Sequence, residues 1–312
     1  MNAPLPTHAL RLGAGIHRIP MATYLADPCE GPSLNSGTAH RLISESPLHA
    51  YHQHPRLGAR PSEYSRASDI GTVAHDLLLG GEGKVCSIEP SDYRSKPTKD
   101  NPEGEIPIGW TNGAIKEARD LARANGLTPV LAAEYGAAKR MADVARAYIA
   151  GSEIAGVLDS GEGELTVIAE VGDAILRTRP DWLNLDAGIS LSFKTTQAKV
   201  EPDAFDRMAR SMGYWFSTTF YERCLSAAGH PGVRHFVLAQ EQAFPHACSL
   251  YLLSPEKFAV ELERVDEAIQ LWTQCLKANK WPGYSSRAHV VVPKPWELEG
   301  GEVEVSWAGA RA

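Results

Sequence analysis

The sequence predicts an α/β domain, a mixed central β-sheet flanked by helices on both sides. Three observations predict it. Residues 189–193 alternate apolar Ile189, Leu191 and Phe193 with Ser190 and Ser192, the period-two mark of a half-buried strand. Residues 163–171 and 173–179 read as two further strands joined at Gly172-Asp173, a hairpin signal. Stretches such as 67–80 and 255–278 instead repeat their apolar residues at helical spacing. No internal repeat or interdomain linker divides the 312 residues, so the expectation is one domain over 21–284. Residues 1–20 are expected as a loose N-terminal arm and 285–312 as a C-terminal tail.

Composition narrows the class. The chain is 43% hydrophobic and 22% charged, with a net charge of -7, an ordinary globular balance. No apolar run approaches the roughly 20 residues of a membrane span. The first residues lack a basic start followed by an apolar core, so neither a membrane role nor a signal peptide is expected. Five cysteines are scattered without a CxxC pair, which suits a reducing, cytoplasmic setting and argues against zinc. An acidic chain that binds nucleic acid needs a local basic surface.

In chain order, Ser36 is placed as the cap of a short helix over 37–44, and Ser46-Pro47 as the start of another. His49, His52 and His54 do not share one helix face, and no carboxylate interleaves them. They are read as partly exposed histidines without a metal. In 67–80, Ile70, Val73, Ala74, Leu77 and Leu78 form a helical stripe with His75 beside it. Residues 84–90 suit a short strand. The proline-rich stretch 91–110 reads as a long mobile loop, and its Arg94, Lys96 and Lys99 make a basic cluster. Helices are expected over 111–125 and 130–150, and one continuous helix over 201–227. Strands follow at 233–241 and 247–253, then an amphipathic helix over 255–278.

The stretch 177–196, RTRPDWLNLDAGISLSFKTT, organises the rest. Pro180-Asp181 closes one apolar-polar run, a polar turn follows, and the next strand carries Ser192 and Lys194 on one face. A hairpin of this form brings Asp181 near Lys194. A carboxylate can hold a hard divalent cation, the cation can polarise a phosphoryl oxygen and activate water, and the lysine can offset charge in the transition state. A surface hairpin with an ordinary ion pair accounts for the same residues.

PD followed by (D/E)-x-K on a strand is the PD-(D/E)XK nuclease signature. RPDW at 179–182 and KTT at 194–196 resemble the exonuclease VIII (RecE-type) nuclease domain. Other ordered blocks resemble it too: SPLHAY, Gly71-Thr72 with His75 and Leu77, Leu78 and Leu79, Glu164, Gly213-Tyr214 with Tyr221, Gln240-Glu241, and the 281–284 terminus WPGY. The similarity spans roughly residues 22–284. It implies a PD-(D/E)XK, restriction-endonuclease-like core and a metal-dependent DNA exonuclease acting on duplex ends in phage or prophage recombination. It also implies Mg2+ or Mn2+ held by His75 and Asp181, with Lys194, Asp181 and Glu164 as catalytic residues. Arg179, Arg94, Lys96 and Lys99 are the expected DNA contacts. Double-stranded DNA ends, a single-strand annealing protein and a homo-oligomer are the expected partners. Two positions depart from the family: Ser192 replaces its strand carboxylate and Ser217 its helix glutamine. Asp186 and Glu241 are the candidates to supply the missing oxygen. The departures keep a second expectation open, a degenerate nuclease fold that binds DNA or protein without cutting.

Overall fold

The computed structural model describes residues 11–58, 69–80 and 85–292. Its centre is a five-stranded mixed sheet in the order β10-β9-β8-β7-β4. The strands are β4 (Glu162–Gly163), β7 (Trp182–Asn184), β8 (Ile189–Thr196), β9 (Arg234–Glu241) and β10 (Cys248–Tyr251). β8 and β9 run parallel, with Ser192 beside Val237 and Lys194 beside Ala239, and the other pairings are antiparallel. The expected hairpin of β5 (Thr166–Val171) and β6 (Ala174–Thr178) forms, but in a separate antiparallel sheet. Its third strand is β1 (Gly15–His17), so part of the stretch expected as a loose arm is paired to β5. A two-stranded parallel sheet joins β2 (Val85–Ile88) to β3 (Thr128–Leu131).

The alternation in β8 decides how helices cover the central sheet. Leu191 and Phe193, with Phe236 and Leu238 of β9, pack under α4 (Asp69–Leu79) and α6 (Ala132–Ala150), against Val73, Met141 and Ile149. The opposite face of β9, Val237 and Ala239, packs on α7 (Pro202–Ser211) and α8 (Tyr214–Ala227) through Phe205 and Trp215. A second core joins α8 to α2 (Ser36–Ser44), α9 (Pro255–Ala278) and the β5–β6 sheet through Leu42, Leu176, Phe216, Phe220 and Trp272. The remaining helices are α1 (Met21–Leu25), α3 (Pro47–Gln53) and α5 (Gly113–Ala124). Among the described residues no helix is long and apolar enough to cross a membrane.

Several boundaries differ from the sequence reading. Asn35, not Ser36, caps α2, its side chain accepting from Thr38 N at 2.8 Å. The expected helix over 130–150 begins as strand β3, because parallel pairing with β2 satisfies Val130 and Leu131 first. The expected helix over 201–227 is two helices. Gly213 breaks it at φ +69, and the ring of His40 lies 2.7 Å from where a Cβ would stand; only glycine takes that conformation without penalty. The loop over 91–110 opens with a 3-10 turn, Pro90–Tyr93. It then closes on itself through Ser95 N to Glu105 O and Thr98 N to Asn101 O, both 2.9 Å.

His54 corrects the reading of the three histidines. It is fully buried, its Nε2 3.2 Å from Asp27 Oδ2. Asp27 also accepts from Ser33 and faces Arg177 Nη1 at 2.9 Å. Burial pushes the Asp27 carboxyl up, but His54, Arg177 and Ser33 together outweigh it and hold it at about 2. This charged cluster ties the segment after α1 to β6.

Candidate active site

Asp181 sits where the chain leaves β6 and enters β7. Trp182 pairs with Leu191 in the antiparallel β7–β8 ladder, so one step further the backbone of Asp181 lies across from Ser192. Its side chain reaches along β8. Oδ2 accepts from Phe193 N at 2.7 Å and lies 3.6 Å from Lys194 Nζ. Oδ1 lies 3.5 Å from His75 Nε2. Helix α4 can deliver His75 because Gly71 faces β8: a Cβ there would stand 2.6 Å from Thr195 Oγ1. The His75 ring stacks at 6.5 Å on Phe193.

The electrostatics follow from this packing. Burial pushes the Asp181 carboxyl up, yet the Lys194 charge, His75 and the Phe193 N–H outweigh it and hold it well below the usual carboxylate range. Burial also pulls the His75 imidazole down, but Asp181, Asp76 and Glu164 raise it to about 10. Asp181 is therefore an anion held between two cations, His75 and Lys194.

These residues line a cavity of about 420 Å³ together with Thr72, Glu164 and Gln242. Glu164 precedes β5 in a left-handed conformation, φ +58, rather than beginning the strand. Its Oε2 is gripped by Arg179 at 2.8 and 3.1 Å. Arg179, expected on a DNA-facing surface, is instead 7% exposed. Its remaining donor atom serves Ile19 O and Thr166 Oγ1, so its role is to fix Glu164. Arg94 donates to Gly104 O within its own loop, and Lys96 and Lys99 stay exposed there.

Neither expected substitute for the missing carboxylate reaches the cavity. Asp186 is exposed in the β7–β8 turn, at the other end of β8 from Lys194. Glu241 binds Lys199 Nζ at 2.9 Å and Val200 N at 3.3 Å. Ser192 itself turns away, into a second cavity with Ser217, and bonds His235 Nε2 at 3.1 Å. Sequence reasoning missed His235, Gln242 and Asp76. His235 left one signal, a polar residue next to Arg234 in the otherwise apolar run 233–239.

A divalent ion is what such a constellation would hold. Among the described residues no group of three His, Cys, Asp or Glu gathers closely enough to cage one. The donors present are His75 and Asp181, with Glu164 on the same wall. Two donors at 3.5 Å facing an open cavity fit an ion that keeps several waters and completes its shell with substrate phosphate, as Mg2+ does. The imidazolium proton of His75 would leave on ligation.

A family model described as a PDDEXK-like domain of unknown function (DUF3799) matches residues 112–292. Among solved structures, a Eubacterium rectale protein provisionally named an exonuclease superposes with a TM-score of 0.54 at 10% identity, covering 91% of this chain and 99% of its own. A phage-related exonuclease from Haemophilus somnus gives a TM-score of 0.31 at 10% identity, covering 80% of this chain and 96% of its own; the fold comparison rests on the former. No curated protein matches the chain.

Proposed function

We propose, from the premise that this chain belongs to the family of PDDEXK-like domains matched over residues 112–292, that it is a divalent-metal-dependent nuclease that resects DNA from duplex ends. The observation that carries the reading is the convergence of His75, Asp181 and Lys194 on one open cavity. His75 and Asp181 would hold Mg2+ or Mn2+, which supplies Lewis-acid polarisation of the phosphoryl oxygen and a water of lowered pKa.

The chain's own residues do the rest. Lys194 stands 3.6 Å from the Asp181 carboxylate, placed to orient a water and to offset negative charge as the phosphoryl group gains it. The Phe193 N–H fixes the Asp181 carboxylate in register with β8. Arg179 holds Glu164 at the cavity wall, fixing its oxygens there while sharing its charge. Lys96 and Lys99, exposed on the 91–110 loop, are the proposed phosphate contacts, with Arg94, which also pairs with Glu103 at 3.8 Å. Resection coupled to a single-strand annealing protein, assembly as a homo-oligomer and a cytoplasmic setting complete the exonuclease VIII-type reading.

A linear duplex labelled at either 5′ or 3′ terminus, with a closed circular duplex as control, tests it. Mn2+-dependent release of mononucleotides from the linear substrate, lost in Asp181→Asn, supports the reading. Release that is absent with both Mg2+ and Mn2+, or unchanged in the variant, overturns it.

One observation favours a second reading. Ser192 is buried and bonded to His235 rather than facing Asp181. A fold that binds duplex ends without cutting them follows if labelled recessed-end DNA is retained at low salt while no nucleotide is released.

A further inference from the structure

The two positions that depart from the family pattern meet in space. Ser192 of β8 and Ser217 of α8 line one cavity of about 160 Å³ with Lys194, Thr218, Tyr221 and His235. It lies on the other side of Lys194 from the His75–Asp181 cavity, so the lysine lines both.

Its chemistry is one-sided. Lys194 is the charged residue of the lining, and among the described residues no carboxylate lines it. His235 is 1% exposed, and burial above all lowers its pKa to about 3, so it is neutral. Its Nδ1 lies 2.7 Å from Ser190 Oγ and its Nε2 3.1 Å from Ser192 Oγ. The shorter contact suits a hydroxyl donating to a ring nitrogen, and the longer one a ring N–H donating to a hydroxyl oxygen. That tautomer, assigned from the lengths, makes Ser190 the donor to His235 and His235 the donor to Ser192. The Ser192 hydroxyl hydrogen is then left for the cavity. Ser217 adds a second hydroxyl from the first turns of α8, whose N-terminal end carries positive partial charge.

Hydroxyl donors, a helix N-terminal end and a cation shared with Asp181 on its other cavity, with no carboxylate in the lining itself, are surroundings that suit an anion. About 10–15 Å³ of such space already holds a water, so a cavity of about 160 Å³ has room for a compact oxyanion. We propose that this cavity is a binding site for a small oxyanion, of the carboxylate or inorganic phosphate class, held by Lys194 and by the hydroxyls of Ser192 and Ser217. The bound anion places negative oxygen beside Lys194 on the strand face where the side chain itself carries none. Occupancy draws Lys194 away from Asp181 and so connects the two cavities. The site stands independently of the proposed hydrolysis, since it needs neither metal nor DNA.

Calorimetric titration of the full chain, metal-free and at constant ionic strength, tests it with sodium formate and with inorganic phosphate as separate probes. Chloride serves as the control, and thymidine monophosphate as the larger probe. The expected result is saturable 1:1 binding of formate and phosphate, each displacing the other, with no heat from chloride and none from the nucleotide. Ser192→Asp fills the site with its own carboxylate and Ser217→Gln occupies its volume. Each is expected to lower affinity at least tenfold while keeping the wild-type circular dichroism spectrum. Absence of binding by both probes, binding unchanged in both variants, or nucleotide binding that displaces phosphate each overturns the proposal. A chain that binds formate but never cuts DNA would remove the nuclease reading alone, and a chain that cuts DNA without binding either probe would remove this one alone.

Discussion

Asp181 Oδ1 stands 3.5 Å from His75 Nε2, a contact between the end of a strand and a helix far earlier in the chain. It exists because Gly71 lets α4 lie against β8 at Thr195. The same carboxylate touches Lys194 and the Phe193 N–H, so one side chain links the helix, the hairpin and the lysine.

Asp181→Asn keeps an oxygen that can accept from Phe193 N but removes the charge between His75 and Lys194. End resection in Mn2+ is expected to fall at least about a hundredfold, equivalent to ~2.7 kcal/mol of lost transition-state stabilisation. Single-turnover assays on labelled linear duplex read the loss. A variant within twofold of wild type would remove Asp181 from the chemistry.

Ser192→Asp restores a carboxylate on the strand face of Lys194. Its oxygens meet the His235 ring that now bonds the serine, so His235 is expected to titrate well above its present value of about 3. Where the longer side chain swings from the Ser217 cavity toward Asp181, Mn2+ affinity is expected to rise about tenfold, since a hard cation gains an anionic oxygen. Calorimetry measures the second effect and histidine NMR the first. If neither moves, the new side chain is not seated in the cavity.

DNA binding is expected to weaken steeply with salt, because each phosphate contact releases about one counterion. Replacing Lys96 and Lys99 together by alanine should reduce the slope of log affinity against log salt by about 1–2. Anisotropy of a labelled recessed-end duplex at several salt concentrations measures it. An unchanged slope would place the DNA on another surface.

Gly213→Ala forces a Cβ into a left-handed conformation against the His40 ring. Stability is expected to drop by about 1–3 kcal/mol, read as a shifted urea midpoint. A neutral substitution would mean that α7 and α8 can join into one helix.

Asp27 is held at about 2 by His54, Arg177 and Ser33 against its burial. A depressed carboxyl contributes stability above its unfolded pKa of about 3.9, and that contribution is lost as pH falls through 2. The contribution is roughly 2 kcal/mol. Thermal unfolding between pH 4 and 2 should therefore show a steeper fall in Tm for the wild type than for Asp27→Asn, which starts less stable because Arg177 loses its counter-charge. Parallel curves would place the acid sensitivity elsewhere.

What the sequence determined by itself was local. The alternation of Ile189, Leu191 and Phe193 marks β8 and its buried face, and the Pro180-Asp181 corner with the 184–188 turn brings Asp181 to Lys194. The stripe beside His75 marks α4, and the amphipathic spacing over 255–278 marks α9. Period, cap and turn are encoded within a few residues, so they can be read without knowing what lies opposite. Tertiary structure alone decided the partners. It moved β5 and β6 into their own sheet, paired β3 with β2 before α6 could begin, and broke 201–227 at Gly213. It also buried His54 against Asp27 and Arg179 against Glu164, and placed His235 under Ser192. Each of these outcomes depends on a residue brought from a distant element, and a periodic pattern gives the direction of a side chain but not the group it meets.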